Sequence, residues 1–225
     1  MQKSLMTLSI IATFSLSATA AEHEHEHISL HYQGKPATQQ TAEVNKATAA
    51  TLNYTDKKAF EEFSKNLIAE LDEPTAAILR TEFSFIGDKT PDTVNPSLYR
   101  QAQLNMVSNG LYKVTDGIYQ VRGTDLSNLT LIRGKTGWIL YDVLLTKEAA
   151  KLSLEFALKN LPEGNDLPVV AMIYSHSHAD HFGGSRAIKD MYPKVKVYGS
   201  NNITKEIVDE NVLAGNAMSR RAAYQ

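Results

Sequence analysis

Residues 175–184, Ser-His-Ser-His-Ala-Asp-His-Phe-Gly-Gly, constrain this chain more than any other stretch. They follow at once on residues 169–174, a continuous apolar run that reads as a strand covered on both faces. In an extended chain residues two apart point to the same side, so His176 and His178 reach toward one point. A turn after them carries Asp180 and His181 toward a second position close by. Gly183-Gly184 allows a tight path from this loop into a following helix. The chain has no cysteine, which excludes disulfides and thiolate metal sites. Any metal must therefore rest on imidazole and carboxylate, a donor set that suits zinc with one coordination position left for water. A helical His-Glu-x-x-His site does not fit, because no two of these three histidines stand four apart. A buried histidine cluster without a metal would carry heavy desolvation and repulsion costs.

Upstream, Met1-Gln2-Lys3 supplies a positive charge, residues 5–16 form an apolar run, and Ala18-Thr19-Ala20-Ala21 offers a small-residue cleavage site. That order predicts a secretory signal peptide over 1–21 and export to the periplasm, since the run is too short to anchor in a bilayer. The alternating Glu and His of residues 22–27 read as a solvated tail, because a flexible terminus loses much conformational freedom in holding a metal. Residues 31–53 lack an apolar period and are expected to be an irregular lead-in. Thr55 is placed to cap a helix from Asp56 to about Leu71, with Phe60, Phe63, Leu67, Ile68 and Leu71 on one face and Glu73-Pro74 ending it. Residues 93–96 read as a loop and residues 97–107 as a further helix.

From Gly110 the texture changes. Residues 112–115 and 118–121 predict two strands about an Asp116-Gly117 turn, and residues 129–132 a third. Residues 138–143 predict a buried strand containing Asp142. Thr146 caps an expected helix to Asn160 with Ala149, Leu152, Phe156 and Ala157 on one side. Residues 186–191 and 204–210 read as helices and residues 195–198 as a short strand. Hairpins followed by β-α-β alternation indicate an α/β protein layered on a sheet. The formal charge of -2 gives no field that would gather nucleic acid or an anionic membrane.

The His-x-His-x-Asp-His run at a strand end resembles the motif of the metallo-β-lactamase superfamily. Three flanks narrow the likeness: residues 93–101 (Thr-Val-Asn-Pro-Ser-Leu-Tyr-Arg-Gln), residues 111–123 (Leu-Tyr-Lys-Val-Thr-Asp-Gly-Ile-Tyr-Gln-Val-Arg-Gly) and residues 210–222 (Glu-Asn-Val-Leu-Ala-Gly-Asn-Ala-Met-Ser-Arg-Arg-Ala). These are similar to the linear alkylsulfatases, the family that hydrolyses dodecyl sulfate, from about residue 50 to the last residue. Ser175 departs from the family's threonine, with the hydroxyl kept. The resemblance implies an α/β metallo-β-lactamase fold, an αββα sandwich of which this chain carries the N-terminal half, preceded by a helical extension. The expected division is a signal peptide at 1–21, a lead-in and helical extension at 22–105, and the metallo-β-lactamase-like domain at 106–225.

The same resemblance implies two zinc ions, with His176 and His178 serving one and Asp180 and His181 the other. Asp180 is also a candidate proton acceptor. Asp142 matches the superfamily's upstream acidic position, orienting a ligand histidine from behind; the plain alternative is a cap at a strand end. Arg220 and Arg221 are candidates to clamp a sulfate, against the alternative of ordinary surface arginines. The implied reaction takes an alkyl sulfate ester to alcohol and sulfate, in a full-length protein that is a homodimer. The family's further acidic and histidine ligands, its helical dimerisation domain and its sterol-carrier-like domain are not in this sequence, so the chain is expected to be a fragment. Two rivals stand beside this reading. One is a hydrolase of the same fold acting on another ester, a thioester or a β-lactam; the other is a truncated, non-catalytic periplasmic zinc-binding protein.

Overall fold

Residues 35–53, 56–72 and 83–222 are described by the computed structural model of the chain. The expected leader at 1–21, the Glu/His run at 22–27, the Thr55 cap and the Glu73-Pro74 break lie outside them. No helix among the described residues is long and apolar enough to cross a membrane.

The lead-in is more ordered than its composition predicts. Gln39–Ala50 forms α1, capped by the Thr38 hydroxyl, which accepts from the Thr41 N–H at 3.2 Å. Its residues include many strong helix formers, and none of them is buried, so capping and propensity rather than an apolar stripe define it. The helix expected over 56–71 is instead two elements. Helix α2 (Lys58–Ser64) ends where the Ser64 hydroxyl turns back onto Phe60 O at 3.0 Å. Asn66 then takes a left-handed φ of 61°, and Leu67–Ala69 continues as strand β1. The ladder to the next strand satisfies this backbone, so pairing overrides the helical spacing of Leu67, Ile68 and Leu71. Helix α3 (Pro96–Asn105) begins with Asn95 as cap and Pro96 in the first turn. Arg100 of α3 stacks over the Phe60 ring at 5.1 Å and donates to Asp56 O at 2.7 Å, tying α3 to the α2 segment.

Strands β2 (Gly110–Thr115), β3 (Ile118–Arg122), β4 (Leu129–Arg133), β5 (Trp138–Tyr141), β6 (Val169–Ile173) and β7 (Lys196–Tyr198) complete one sheet. Spatial order equals chain order, with β1 and β7 at the edges. Strands β1 to β5 pair antiparallel as a meander, whereas β5, β6 and β7 are parallel. The parallel pairs need crossovers, and these are helix α4 (Lys147–Asn160) and the pair α5 (Ala179–Phe182) and α6 (Ser185–Met191). The sheet thus draws its first strand from the lead-in, upstream of residue 106.

One face of the sheet carries Leu111, Val121, Leu129, Leu131, Leu140 and Met172, all fully buried. Burying a side chain of this size contributes about 1.5–3 kcal/mol. Trp138 is also buried, its indole N–H satisfied by Gly164 O at 3.2 Å and its ring meeting Tyr119 edge-on. Helix α4 covers this face with Ala150, Ser153, Leu154, Ala157 and Leu158. The centre of contact is therefore rotated from the expected one, and Leu152 is exposed. Ser153, the polar residue buried in this seam, is satisfied there by donating its hydroxyl to Thr124 Oγ1 at 2.8 Å.

Helices α4 and α6 pack through Gly184. A Cβ there would lie 2.1 Å from Val143 O and 2.4 Å from the Ala150 Cβ. Gly184→Ala is expected to cost about 1–3 kcal/mol by overpacking. Urea denaturation should show a lower midpoint at unchanged slope; an unchanged midpoint would mean the seam opens freely.

Candidate metal centre

Strand β5 ends at Tyr141, and the next residue, Asp142, adopts a left-handed φ of 58°. Aspartate tolerates this conformation better than most residues, and here neighbouring groups hold it. The Asp142 N–H donates to Ile173 O at 2.9 Å, Val143 N–H to His181 O at 2.9 Å, and Gly184 N–H to Leu144 O at 3.0 Å. The loop after β5 and the loop after β6 are thus stitched together through their backbones.

The buried Asp142 carboxylate is the central acceptor. Its Oδ1 takes the Ser175 N–H at 2.8 Å, and its Oδ2 takes the Ser175 hydroxyl at 2.8 Å and His181 Nδ1 at 2.7 Å. Because the Ser175 hydroxyl donates to Asp142, its oxygen is left to accept from His176 Nδ1 at 2.8 Å. On the other side of the loop, His178 Nε2 lies 3.1 Å from Glu210 Oε1. A carboxylate only accepts, so these contacts place a proton on Nδ1 of His176, Nε2 of His178 and Nδ1 of His181. Each ring keeps its other nitrogen as a lone pair when neutral. Among the described residues no hydrogen bond reaches His176 Nε2 or His178 Nδ1.

The three rings form one cluster, with centroids 4.5 Å apart for His176 and His178 and 4.1 Å for His176 and His181. Asp180 sits in the single turn of α5, its carbonyl taken by the Ser127 hydroxyl. Its Oδ2 faces His181 Nε2 at 3.1 Å. Two acceptors at that separation repel unless a proton or a cation is shared between them. Among the described residues no three His, Asp or Glu side chains are already converged as a metal-holding group. The donor chemistry nevertheless fits a divalent cation: three imidazoles, each held from behind by one nitrogen, beside a carboxylate.

The structure therefore brings together His176, His178, Asp180, His181 and Asp142. Arg220 and Arg221 are exposed on the last described helix, α8 (Gly215–Ala222), and among the described residues neither makes a hydrogen bond or ion pair with the cluster. Sequence reasoning missed Glu210, Ser177 and Ser127 as partners. Nothing local marks Glu210, because its approach depends on how helix α7 (Ile203–Val208) and the π-helical turn Asp209–Leu213 fold back on the loop.

With this geometry in place, comparison with known proteins is informative. Residues 122–211, which contain the whole cluster, match the family model of the metallo-beta-lactamase superfamily. The chain is 45% identical over 205 residues to the linear primary-alkylsulfatase of a Pseudomonas species, covering 84% of this chain and 30% of that protein. It is 38% identical over 238 residues to an (R)-specific secondary-alkylsulfatase of Pseudomonas, covering 100% of this chain and 34% of the relative. Among solved structures, the inverting sec-alkylsulfatase Pisa1 from Pseudomonas superposes with a TM-score of 0.69 at 40% identity, over 85% of this chain and 31% of that one. The chain thus spans about a third of the length of the curated relatives it matches. Residues 122–211 therefore carry a metallo-β-lactamase superfamily domain, and the chain is similar in sequence and fold to alkylsulfatases over most of its length.

Asp142→Ala removes three hydrogen bonds at once and leaves the Ser175 N–H without its acceptor. The expected loss is about 1–3 kcal/mol of stability in thermal melting and about ten- to a hundredfold in divalent-metal affinity. Asp142→Asn, which keeps acceptor oxygen at Oδ1, should lose less stability than alanine.

Proposed function

We propose that the protein hydrolyses alkyl sulfate esters to an alcohol and inorganic sulfate, with two zinc ions held in part by His176, His178, Asp180 and His181. The observation that carries this reading is the cluster itself: three rings, each engaged by one nitrogen, standing beside a carboxylate. The names and 38–45% identity of the relatives supply the substrate class.

His176 and His178 are assigned to one ion, Asp180 and His181 to the other. Bound divalent zinc supplies Lewis-acid polarisation of the ester and lowers the pKa of water toward neutrality. Asp142 and Ser175 hold His181 and His176 by Nδ1 and leave their Nε2 lone pairs available, that of His181 facing Asp180 Oδ2. Asp180 is the candidate to take the proton that water gives up. Alkyl sulfate and water balance against alcohol and hydrogen sulfate, the proton that water gives up being returned to the products. Arg220 and Arg221, exposed near the end of the described chain, are candidates to hold the sulfate by bidentate hydrogen bonds. The leader pattern at 1–21 supports a periplasmic location, and the family likeness supports a homodimer.

The test is turnover by the full-length protein. Sulfate release from dodecyl sulfate should be present with zinc, abolished by chelation and restored by zinc. His176→Ala and His178→Ala should reduce it to background. Turnover of nitrocefin or of a glutathione thioester with none on alkyl sulfates would overturn the substrate assignment.

A further inference from the structure

Residues 209–213 form a π-helical turn between α7 and α8. Such turns insert one residue into a helix and shift the side chains that follow, and they recur at functional sites. This one grips the histidine loop at three points. Glu210 Oε1 lies 3.1 Å from His178 Nε2, and Glu210 Oε2 accepts from the Ser177 hydroxyl at 2.9 Å. The next residue, Asn211, donates from Nδ2 to Ser177 O at 3.2 Å, and also to Ile207 O at 2.9 Å within its own helix. The Glu210 side chain is largely covered, at 18% exposure, whereas that of His178 is 44% exposed. A covered carboxylate with both oxygens engaged is a fixed acceptor rather than a mobile surface charge.

From these contacts we infer that Glu210 is a positioning residue for His178, a role that rests on the metal reading above. Its carboxylate keeps the ring proton on Nε2 and presents the Nδ1 lone pair, the nitrogen nearer the backbone. His176 and His181 are held the opposite way, by Nδ1, and present the far nitrogen. Two rings only two residues apart therefore offer lone pairs on different ring nitrogens. A carboxylate behind an imidazole also makes the ring a stronger donor. Ser177 completes the device: lying between the two histidines in sequence, it donates to Glu210 Oε2 and so fixes the carboxylate that faces His178.

The experiment is a zinc titration of the metal-stripped full-length protein against a chromophoric chelator, alongside thermal melting of the metal-free form. Glu210→Ala should weaken one of the zinc sites by about ten- to a hundredfold while the metal-free protein melts close to wild type. Glu210→Gln, which keeps an acceptor oxygen for Nε2–H, should restore most of that affinity. Ser177→Ala should give an intermediate loss. Unchanged zinc affinity in Glu210→Ala, or a loss matched by a lower melting temperature of the metal-free protein, would overturn the positioning role. A loss in Glu210→Gln as large as in Glu210→Ala would make Glu210 a ligand itself and overturn it too. A wild-type protein that binds no zinc would bring down the metal reading, and this inference with it.

Discussion

The carboxylate of Asp142 joins two things that the rest of the molecule needs together, the end of a sheet strand and the loop that carries the histidines. It accepts from the Ser175 backbone, the Ser175 hydroxyl and His181. All of this takes place at a buried residue in a backbone conformation that only a few side chains adopt readily. Removing the acceptor would leave donors buried without partners, which costs more than the bond itself contributes. The strain at Asp142 and the order of the loop thus support each other.

The architecture supplies that junction by simple means. A meander of hairpins builds the sheet up to β5, and the chain then changes to parallel crossovers. The C-terminal ends of the parallel strands β5 and β6 lie side by side, so their following loops meet. Ligand sites of α/β sheets commonly form in such a place, where loops converge beyond the strand ends. The close α4–α6 seam, with glycine at its tightest point, keeps the helix after the histidine loop pressed onto the core. The histidine loop is thus backed by the packed core and also held by Glu210 and Asn211.

Much of this was legible in the sequence, for particular reasons. Strands β2 to β6 were marked by alternation, by turn residues such as Asp116-Gly117, and by the apolar run before Ser175. His176, His178, Asp180 and His181, which the fold gathers into one cluster, were marked by their density in the sequence. Asp142, expected at the end of a buried strand, was marked by its likeness to the superfamily's upstream acidic position. The helix expected over 56–71 failed because Leu67 and Ala69 are ambiguous between periods of 3.6 and 2, and only the presence of β2 decides between them. Helix α1 failed because it buries no side chain and so shows no stripe. Glu210 was invisible because its meaning lies in a long-range approach, set by a π-helical turn that no short pattern announces.

A sheet whose spatial order follows its chain order can be extended by another backbone only at its two outer strands. Here both are short, three residues each among those described. The register of β1 against β2 slips between Leu67 and Ala69, and β7 carries the exposed Lys196. Irregularity on one rim and charge on the other are the devices by which natural sheets discourage edge-to-edge aggregation. Among the described residues, half-covered isoleucines at positions 118, 132, 139 and 173 thus lie on a sheet whose outer strands are short and either irregular or charged.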